Sequence, residues 1–172
     1  RAAVMLDKDP QECNIITMHI GNGVSHAAIK NGISVDTSMG LTPLEGPLIA
    51  TRCGDIDPGI SLFVMDHEKH TPQDMLEILN CKSGIAGVTG HYYRHRQLIA
   101  HADAGDKRGQ LALEMEHYRL KKLIGAYLAA LGVQADAIVF NCGSESDWLR
   151  LSEGTKGLNC FGVEPAKDDK KT

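Results

Sequence analysis

The amino-acid sequence predicts an α/β or α+β domain with a mixed β-sheet flanked by helices. Three short strands joined by tight turns open the chain, a block of helices follows a loop-rich stretch, and another apolar strand and helix lie near the end. Strands placed before and after a helical block favour a sheet with both antiparallel and parallel neighbours. With 172 residues, the chain is long enough to bury one hydrophobic core.

Three strands are predicted within the first 36 residues. Residues 14–20 are rich in apolar and β-branched side chains, which is typical of a buried strand. Gly21-Asn22-Gly23 predicts a hairpin turn because glycine and asparagine tolerate positive φ. Residues 24–30 then return as a second strand, Asn31-Gly32 turns the chain again, and residues 33–36 form a third strand.

Helices dominate the rest of the chain. The first six residues resemble the tail of a helix, and residues 37–60 form an irregular loop rich in glycine and proline. Thr71 and Pro72 supply an N-cap and a first helical residue. The remaining expectations are helices over 60–65, 72–79, 109–131 and 146–157, a glycine-punctuated loop over 82–90, a buried strand over 136–140 and a frayed, charged C-terminus.

Composition narrows the function classes. A net charge of -4 gives no electrostatic case for a nucleic-acid or membrane partner. No apolar run approaches the roughly 20 residues of a membrane span. Five scattered cysteines without a C-x-x-C pair favour reduced thiols in a cytosolic protein. No H-E-x-x-H pattern is present, and we predict no metal ligand in this chain.

The first candidate site is the stretch H-I-G-N-G, residues 19–23. A glycine hairpin at a strand end exposes backbone N–H groups that can surround phosphate oxygens, and Asn22 and His19 could add side-chain contacts. The alternative is a plain hairpin with a core histidine.

The second candidate is T-R-C-G-D-I-D-P, residues 51–58. The planar guanidinium of Arg52 matches the oxygens of a transferring phosphoryl group. Asp55 and Asp57 could hold that arginine or help to arrange a metal shell. In the alternative, this is a solvated turn in which an aspartate caps the helix that follows.

A third candidate, residues 36–46, places apolar residues around Pro43, which could line a small-substrate pocket or form a structured connector. Other chemistries find no support. Ser25 and Ser38 lack the G-x-S-x-G context of a hydrolase, and neither a P-loop nor a Rossmann fingerprint is present.

Taken together, H-I-G-N-G, V-D-T-S-M-G-L-T-P-L-E-G and T-R-C-G-D-I-D-P resemble the acetate kinase family in order and spacing. K-S-G-I-A-G-V-T-G, Y-R-L-K-K-L-I-G-A-Y and D-A-I-V-F extend the resemblance over nearly the whole chain. The family implies a two-domain actin-like, ribonuclease H-like ATPase fold. It also implies reversible phosphoryl transfer from ATP to acetate with Mg²⁺, and a homodimer formed through the C-terminal domain. Propionate and butyrate kinases share this scaffold.

The resemblance assigns roles to individual positions. His19, Ile20, Gly21, Asn22 and Gly23 correspond to the phosphate loop for ATP or ADP. Arg52 corresponds to the arginine that stabilises the transition state, and Pro43 to the pocket for the acetate methyl group. Arg94, His95, Arg96 and Gly143 fall in the two adenosine segments.

Both adenosine segments depart from the family pattern. The loop usually written G-G-I-G-E-N reads N-C-G-S-E-S-D here and is about two residues short, and S-D-F-R reads Y-R-H-R. Arg94 therefore inverts a charge. These departures favour a second hypothesis, a degenerate module that retains dimerisation through the apolar face of residues 109–131. A third is an actin-like or sugar-kinase relative with another acceptor.

The family's N-terminal domain and its last segment, with a metal-ligating glutamate, have no counterpart in the sequence. We therefore expect residues 1–172 to be an incomplete acetate kinase, mainly its C-terminal nucleotide-binding domain. Alone it should be inactive, because in-line transfer requires groups from both domains.

Overall fold

The computed structural model describes residues 1–21, 23–132, 134–142 and 159–162. In chain order the elements are α1 (Ala2–Leu6), a 3-10 turn (Pro10–Glu12), β1 (Ile15–Ile20), β2 (Val24–Lys30), β3 (Ile33–Thr37), α2 (Pro58–Glu68), α3 (Pro72–Cys81), α4 (Gly84–Thr89), α5 (His95–Asp103), α6 (Lys107–Ala130), β4 (Ala137–Cys142) and β5 (Cys160–Gly162). The predicted helix over 146–157 and the charged C-terminus lie outside the described residues.

The chain divides into two compact units. One comprises residues 1–38 and 117–172, and the other comprises residues 39–116. The first unit holds every strand among the described residues, and the second holds α2 to α5.

The described strands form one mixed sheet in the order β3-β2-β1-β4-β5. β1 pairs with β2, and β2 with β3, in antiparallel register, whereas β1 with β4 and β4 with β5 are parallel. The predicted turn between β2 and β3 is confirmed, since Asn31 and Gly32 both adopt positive φ. The predicted mixed sheet is confirmed, and β5 is an addition to it.

The core of the first unit contains residues of the strands and of the part of α6 that belongs to this unit. Ile16, Met18 and Phe140 on the strands and Leu120 on the helix are all at most 1% exposed. Strand alternation explains this burial, because residues two apart share one face. The opposite face of β1 carries Thr17 and His19, which leaves polar side chains available there.

The second unit corrects the loop predicted for residues 82–90. This segment contains the short helix α4, packed with α5 and α6 through Ile85, Leu98 and Leu113. Gly84 permits the helix start because its φ is +63° and an added Cβ would lie 2.1 Å from the Ile49 carbonyl oxygen. Gly84 therefore allows the start of α4 to pack closely against the loop at residue 49, and it does not mark a loop at residues 82–90.

The helices α2 and α3 begin where their capping residues predict. Asp57 Oδ1 accepts a hydrogen bond from Gly59 N at 2.9 Å, and Pro58 is the first residue of α2. Thr71 and Asp74 form a reciprocal capping box at the start of α3. α2 extends beyond the predicted 60–65. Within the described part of the chain, no helix is both long and apolar enough to cross a membrane.

Candidate functional site

The glycine hairpin joins β1 to β2 in the first unit. Ile20 pairs with Val24 across it, and the Gly21 amide donates to the Gly23 carbonyl oxygen at 3.0 Å. Ile20 is buried on the core face, while His19 is exposed at the strand end. An added Cβ on Gly21 would lie 3.4 Å from His19 Nε2, so the imidazole lies beside the turn. Asn22, the predicted amide donor, lies outside the described residues.

A cleft of about 430 Å³ opens on the face of the sheet that His19 shares. The polar side chains that line it come from four strands and from the chain start: Thr17, His19, Ser25, Thr37, Asn141 and Arg1. His19 pairs with Ser25 on one side and with Asn141 on the other. Hydroxyl, amide and imidazole groups on adjacent strands can together donate to an anionic ligand. Asn141 and Thr17 were not predicted as site residues, because the cross-strand register that places them beside His19 is not visible in local sequence.

One histidine that lines this cleft behaves differently. His26 is 2% exposed, and among the described residues neither ring nitrogen has a hydrogen-bond partner. Burial, followed by the nearby His19 ring, lowers the pKa of His26 from 6.5 to about 3. The imidazole is therefore neutral at pH 7. The sequence alternative in which His19 is a core histidine is wrong, because His19 is exposed and the buried histidine is His26.

Arg52 lies on a loop of the second unit that backbone hydrogen bonds hold on both sides. The Thr51 carbonyl oxygen accepts from Ser83 N, and Cys53 N donates to the Leu79 carbonyl oxygen, each at 3.0 Å. These bonds tie the loop to the end of α3 and the start of α4. The backbone at Arg52 is therefore held in place by its two neighbours in the sequence.

Two predicted site residues come together on this loop. Arg52 Nη1 donates to the Pro43 carbonyl oxygen at 3.5 Å. Pro43 is exposed and Arg52 is half-buried. Two hydrogen bonds between Gly46 and Asp55 hold the ends of this loop segment together. Gly46 N donates to Asp55 Oδ1 at 2.8 Å, and Asp55 N donates to the Gly46 carbonyl oxygen at 2.7 Å. The charged guanidinium of Arg52 therefore lies next to the exposed, apolar Pro43.

The two aspartates that follow Arg52 have structural roles. Asp55 closes the loop, and Asp57 caps α2. The capping alternative considered for this segment is thus confirmed for Asp57. Within the described ranges, no three His, Cys, Asp or Glu side chains are grouped as metal ligands.

The segment 94–96 begins α5 in the second unit. Arg94 and Arg96 are exposed, whereas the His95 ring is directed to Glu116, with Nε2 to Oε2 at 2.9 Å. Sequence reasoning missed Glu116, since a single glutamate among the charged residues of a long helix carries no signal of burial. Gly143, from the other adenosine segment, lies outside the described residues.

The predicted phosphate loop and Arg52 belong to different units, residues 1–38 and residues 39–116 respectively. That the glycine hairpin and Arg52 face one nucleotide pocket stays a prediction.

Comparison with known proteins shows the family to which this chain is related. A model of the acetokinase family matches residues 1–171. This chain belongs to the acetokinase family. The acetate kinase of Geobacter sulfurreducens is 54% identical over 172 residues, and that of Trichlorobacter lovleyi is 59% identical over 164 residues. These alignments cover 99% and 95% of this chain but 41% and 39% of the relatives, so the chain spans about two fifths of their length.

Solved structures agree with the fold. The crystal structure of Porphyromonas gingivalis acetate kinase superposes with a TM-score of 0.86 at 34% identity, covering 95% of this chain and 48% of that one. A propionate kinase from Francisella tularensis gives a TM-score of 0.84 at 30% identity, covering 96% and 49%. The predicted actin-like ATPase fold with a mixed sheet flanked by helices is therefore confirmed.

Proposed function

We propose that this chain contributes to an acetate kinase, which transfers the γ-phosphoryl group of ATP reversibly to acetate. A carboxylate oxygen of acetate forms the new bond to the γ-phosphorus, and the bond from that phosphorus to the bridging oxygen of ADP breaks. Acetyl phosphate and ADP are the products. Family membership and relatives named acetate kinase support this reaction.

One geometric observation carries the assignment of roles. The Arg52 guanidinium hydrogen-bonds to the carbonyl oxygen of Pro43, so a group suited to phosphoryl charge stands beside a residue suited to the acetate methyl group. Phosphoryl transfer needs positioning and charge neutralisation more than covalent help from the protein. In this proposal Arg52 stabilises the equatorial oxygens in the transition state, and Pro43 excludes water from the methyl side.

The nucleotide is assigned to the glycine hairpin. His19 and the Gly21–Gly23 turn would contact the phosphates of ATP or ADP, and Arg94 and Arg96 would lie towards the adenosine. Mg²⁺ would accompany the nucleotide and neutralise phosphate charge. The family resemblance implies that the metal ligands belong to parts of the acetate kinase outside this segment. A protein with these small-molecule substrates is expected in the cytoplasm.

A homodimer is the proposed assembly. Leu111 and Met115 lie one turn apart on α6 and are 49% and 39% exposed. An exposed apolar pair on a long helix favours a protein interface. This surface is also what the alternative function, a degenerate dimerisation module, would use.

Calorimetric titration with ADP separates the two functions. We expect micromolar binding that is lost in Arg52→Ala and in Asn22→Ala but kept in Lys121→Ala, a control at an exposed residue on a different face of α6 from Leu111 and Met115. No heat at millimolar ADP would support the dimerisation module instead.

A segment exchange tests the reaction itself. The matching segment of the Geobacter sulfurreducens acetate kinase is replaced by this sequence, and acetyl phosphate formation is measured with acetate and with propionate. We expect activity with acetate that falls about 10²- to 10³-fold in Arg52→Ala, as for other lost transition-state donors. A folded chimera whose activity is unchanged by Arg52→Ala would contradict the role of this arginine.

A further inference from the structure

The second unit contains a buried carboxylate–imidazole pair. Glu116 Oε2 lies 2.9 Å from His95 Nε2, and the side chains are 1% and 13% exposed. A carboxylate removed from water requires a hydrogen-bonding partner. With Glu116 ionised, His95 Nε2–H is the donor, which fixes the orientation of the ring.

The His95–Glu116 pair connects α5 to α6 at one end of the helical hairpin that these two helices form. Leu98 and Ala102 of α5 belong to one buried cluster with Leu113 of α6. Near the turn between these helices, Gln110 Nε2 donates to the Ala102 carbonyl oxygen at 3.0 Å. His95 and Glu116 tie the two helices at the other end, where the chain enters α5.

Arg94 immediately precedes this tie. Its carbonyl oxygen accepts from Gln97 N at 2.8 Å and from Leu98 N at 3.0 Å, and its own amide donates to Gln97 Oε1 at 3.0 Å. The backbone that carries the Arg94 guanidinium is thus fixed by the first turn of α5. Movement of that turn would move Arg94 with it.

We propose that His95, held by Glu116, is a positioning residue that fixes Arg94 for the nucleotide and does not itself contact the nucleotide. This inference rests on the proposed function, and it replaces the role that the family resemblance gives to His95. His95 Nε2 is bonded to a carboxylate that is almost fully buried. A ligand contact through Nε2 would leave Glu116 without this partner.

The experiment combines three variants of the chain with ADP titration. His95→Ala removes the tie, His95→Gln keeps an N–H near the position of Nε2, and Arg94→Ala removes the positioned group. We expect the ADP dissociation constant to rise at least tenfold in His95→Ala and to stay within threefold of wild type in His95→Gln. In Arg94→Ala, adding His95→Ala should cause no further loss, because the group being positioned is already absent.

Two spectroscopic readouts do not depend on ADP affinity. The ¹⁵N spectrum of the wild-type imidazole should show Nε2 protonated with little change on adding ADP. Hydrogen exchange at the Arg94 amide should accelerate at least tenfold in His95→Ala and not in His95→Gln. Both readouts also reveal whether a variant has lost its fold.

The outcomes are distinct. Additive losses in the double variant together with a large ADP-induced ¹⁵N shift would mean direct contact and overturn the proposal. An ADP affinity in His95→Ala within twofold of wild type would overturn it as well. If the wild-type chain binds no ADP, the proposed function fails, while the exchange of the Arg94 amide still decides whether the pair orders this turn.

Discussion

Replacing His26 should stabilise the protein and remove part of its sensitivity to acid. The ring is 2% exposed, and within the described part of the chain neither of its nitrogens has a hydrogen-bond partner. Each unpaired buried polar group costs about 1–3 kcal/mol. Methionine is of similar volume, unbranched and able to fill irregular space. We expect His26→Met to raise the free energy of unfolding at pH 7 by about 1–3 kcal/mol.

The pH dependence follows from the low pKa of His26. The pKa is 6.5 for the ordinary group and about 3 in the folded protein. At a pH between these values the unfolded chain binds a proton that the folded chain does not, so stability is present above pH 6.5 and lost as pH falls towards 3. The loss amounts to about 2 kcal/mol between pH 7 and pH 5, and to about 5 kcal/mol over the whole interval.

Urea unfolding at pH 7, 6 and 5 measures both effects. Wild-type stability should decline more steeply than that of His26→Met, by about 2 kcal/mol at pH 5. His67→Gln is the matched control, because that side chain is 68% exposed and paired with Glu68 at 3.9 Å. Parallel pH profiles for wild type and His26→Met, or a variant less stable than wild type at pH 7, would refute the reasoning.

Three further predictions about the local structure are tested by urea unfolding. Gly84→Ala should lower the free energy of unfolding by more than about 2 kcal/mol, because the φ of Gly84 is +63° and the new Cβ would meet a carbonyl oxygen. Gly125→Ala should instead stabilise α6 by about 0.5–1 kcal/mol, because there is open space at the Gly125 Cβ position. Equal effects of the two substitutions would contradict the packing at α4. Thr71→Ala should cost about 1 kcal/mol through loss of the capping box, and Thr71→Ser should restore most of it. In Asp136, hydrogen bonds from the Asn14 amide and then Lys8 lower the carboxyl pKa below 3.8, so its contribution is complete above pH 3.8 and lost below it. Asp136→Asn should therefore show less acid loss below pH 4 than wild type, and an unchanged profile would contradict this pairing.

Elements defined by short-range patterns were predictable. The meander of β1, β2 and β3 follows from alternating apolar residues and two glycine-containing turns. The start of α3 follows from Thr71 and Pro72, which act within one turn of their own position. In such cases the interacting groups are neighbours in the sequence.

Elements defined by distant contacts were missed. The helix α4 lies in a segment with three glycines, and backbone hydrogen bonds from Ile85 N and Ala86 N to the carbonyl oxygens of residues 49 and 50 hold its start. β5 has three residues and pairs in parallel with β4, so no turn in the neighbouring sequence predicts this strand. Propensity is a weak guide where tertiary hydrogen bonds decide the conformation.

The residues of the candidate site also fall into those that the sequence predicts and those that it does not. Arg52 and Pro43 were predicted, and the structure joins them through a hydrogen bond between residues nine apart. Glu116 was not predicted as the partner of His95, from which it is 21 residues distant. Asn22 and Gly143 lie outside the described residues, so their assignments to the nucleotide stay predictions.

By itself the sequence determined the family, the strand meander, the position of the loop that carries Arg52 and the strand end that carries His19. These depend on residue identity and on spacing over a few positions. Only the tertiary structure decided which histidines are buried and what holds them. The Tyr127 hydroxyl donates to the backbone carbonyl oxygen of His26, which is 101 residues away in the sequence. Burial lowers the pKa of His26, and among the described residues its ring nitrogens have no hydrogen-bond partner. Burial and partnership are properties of the folded neighbourhood, which no local pattern encodes.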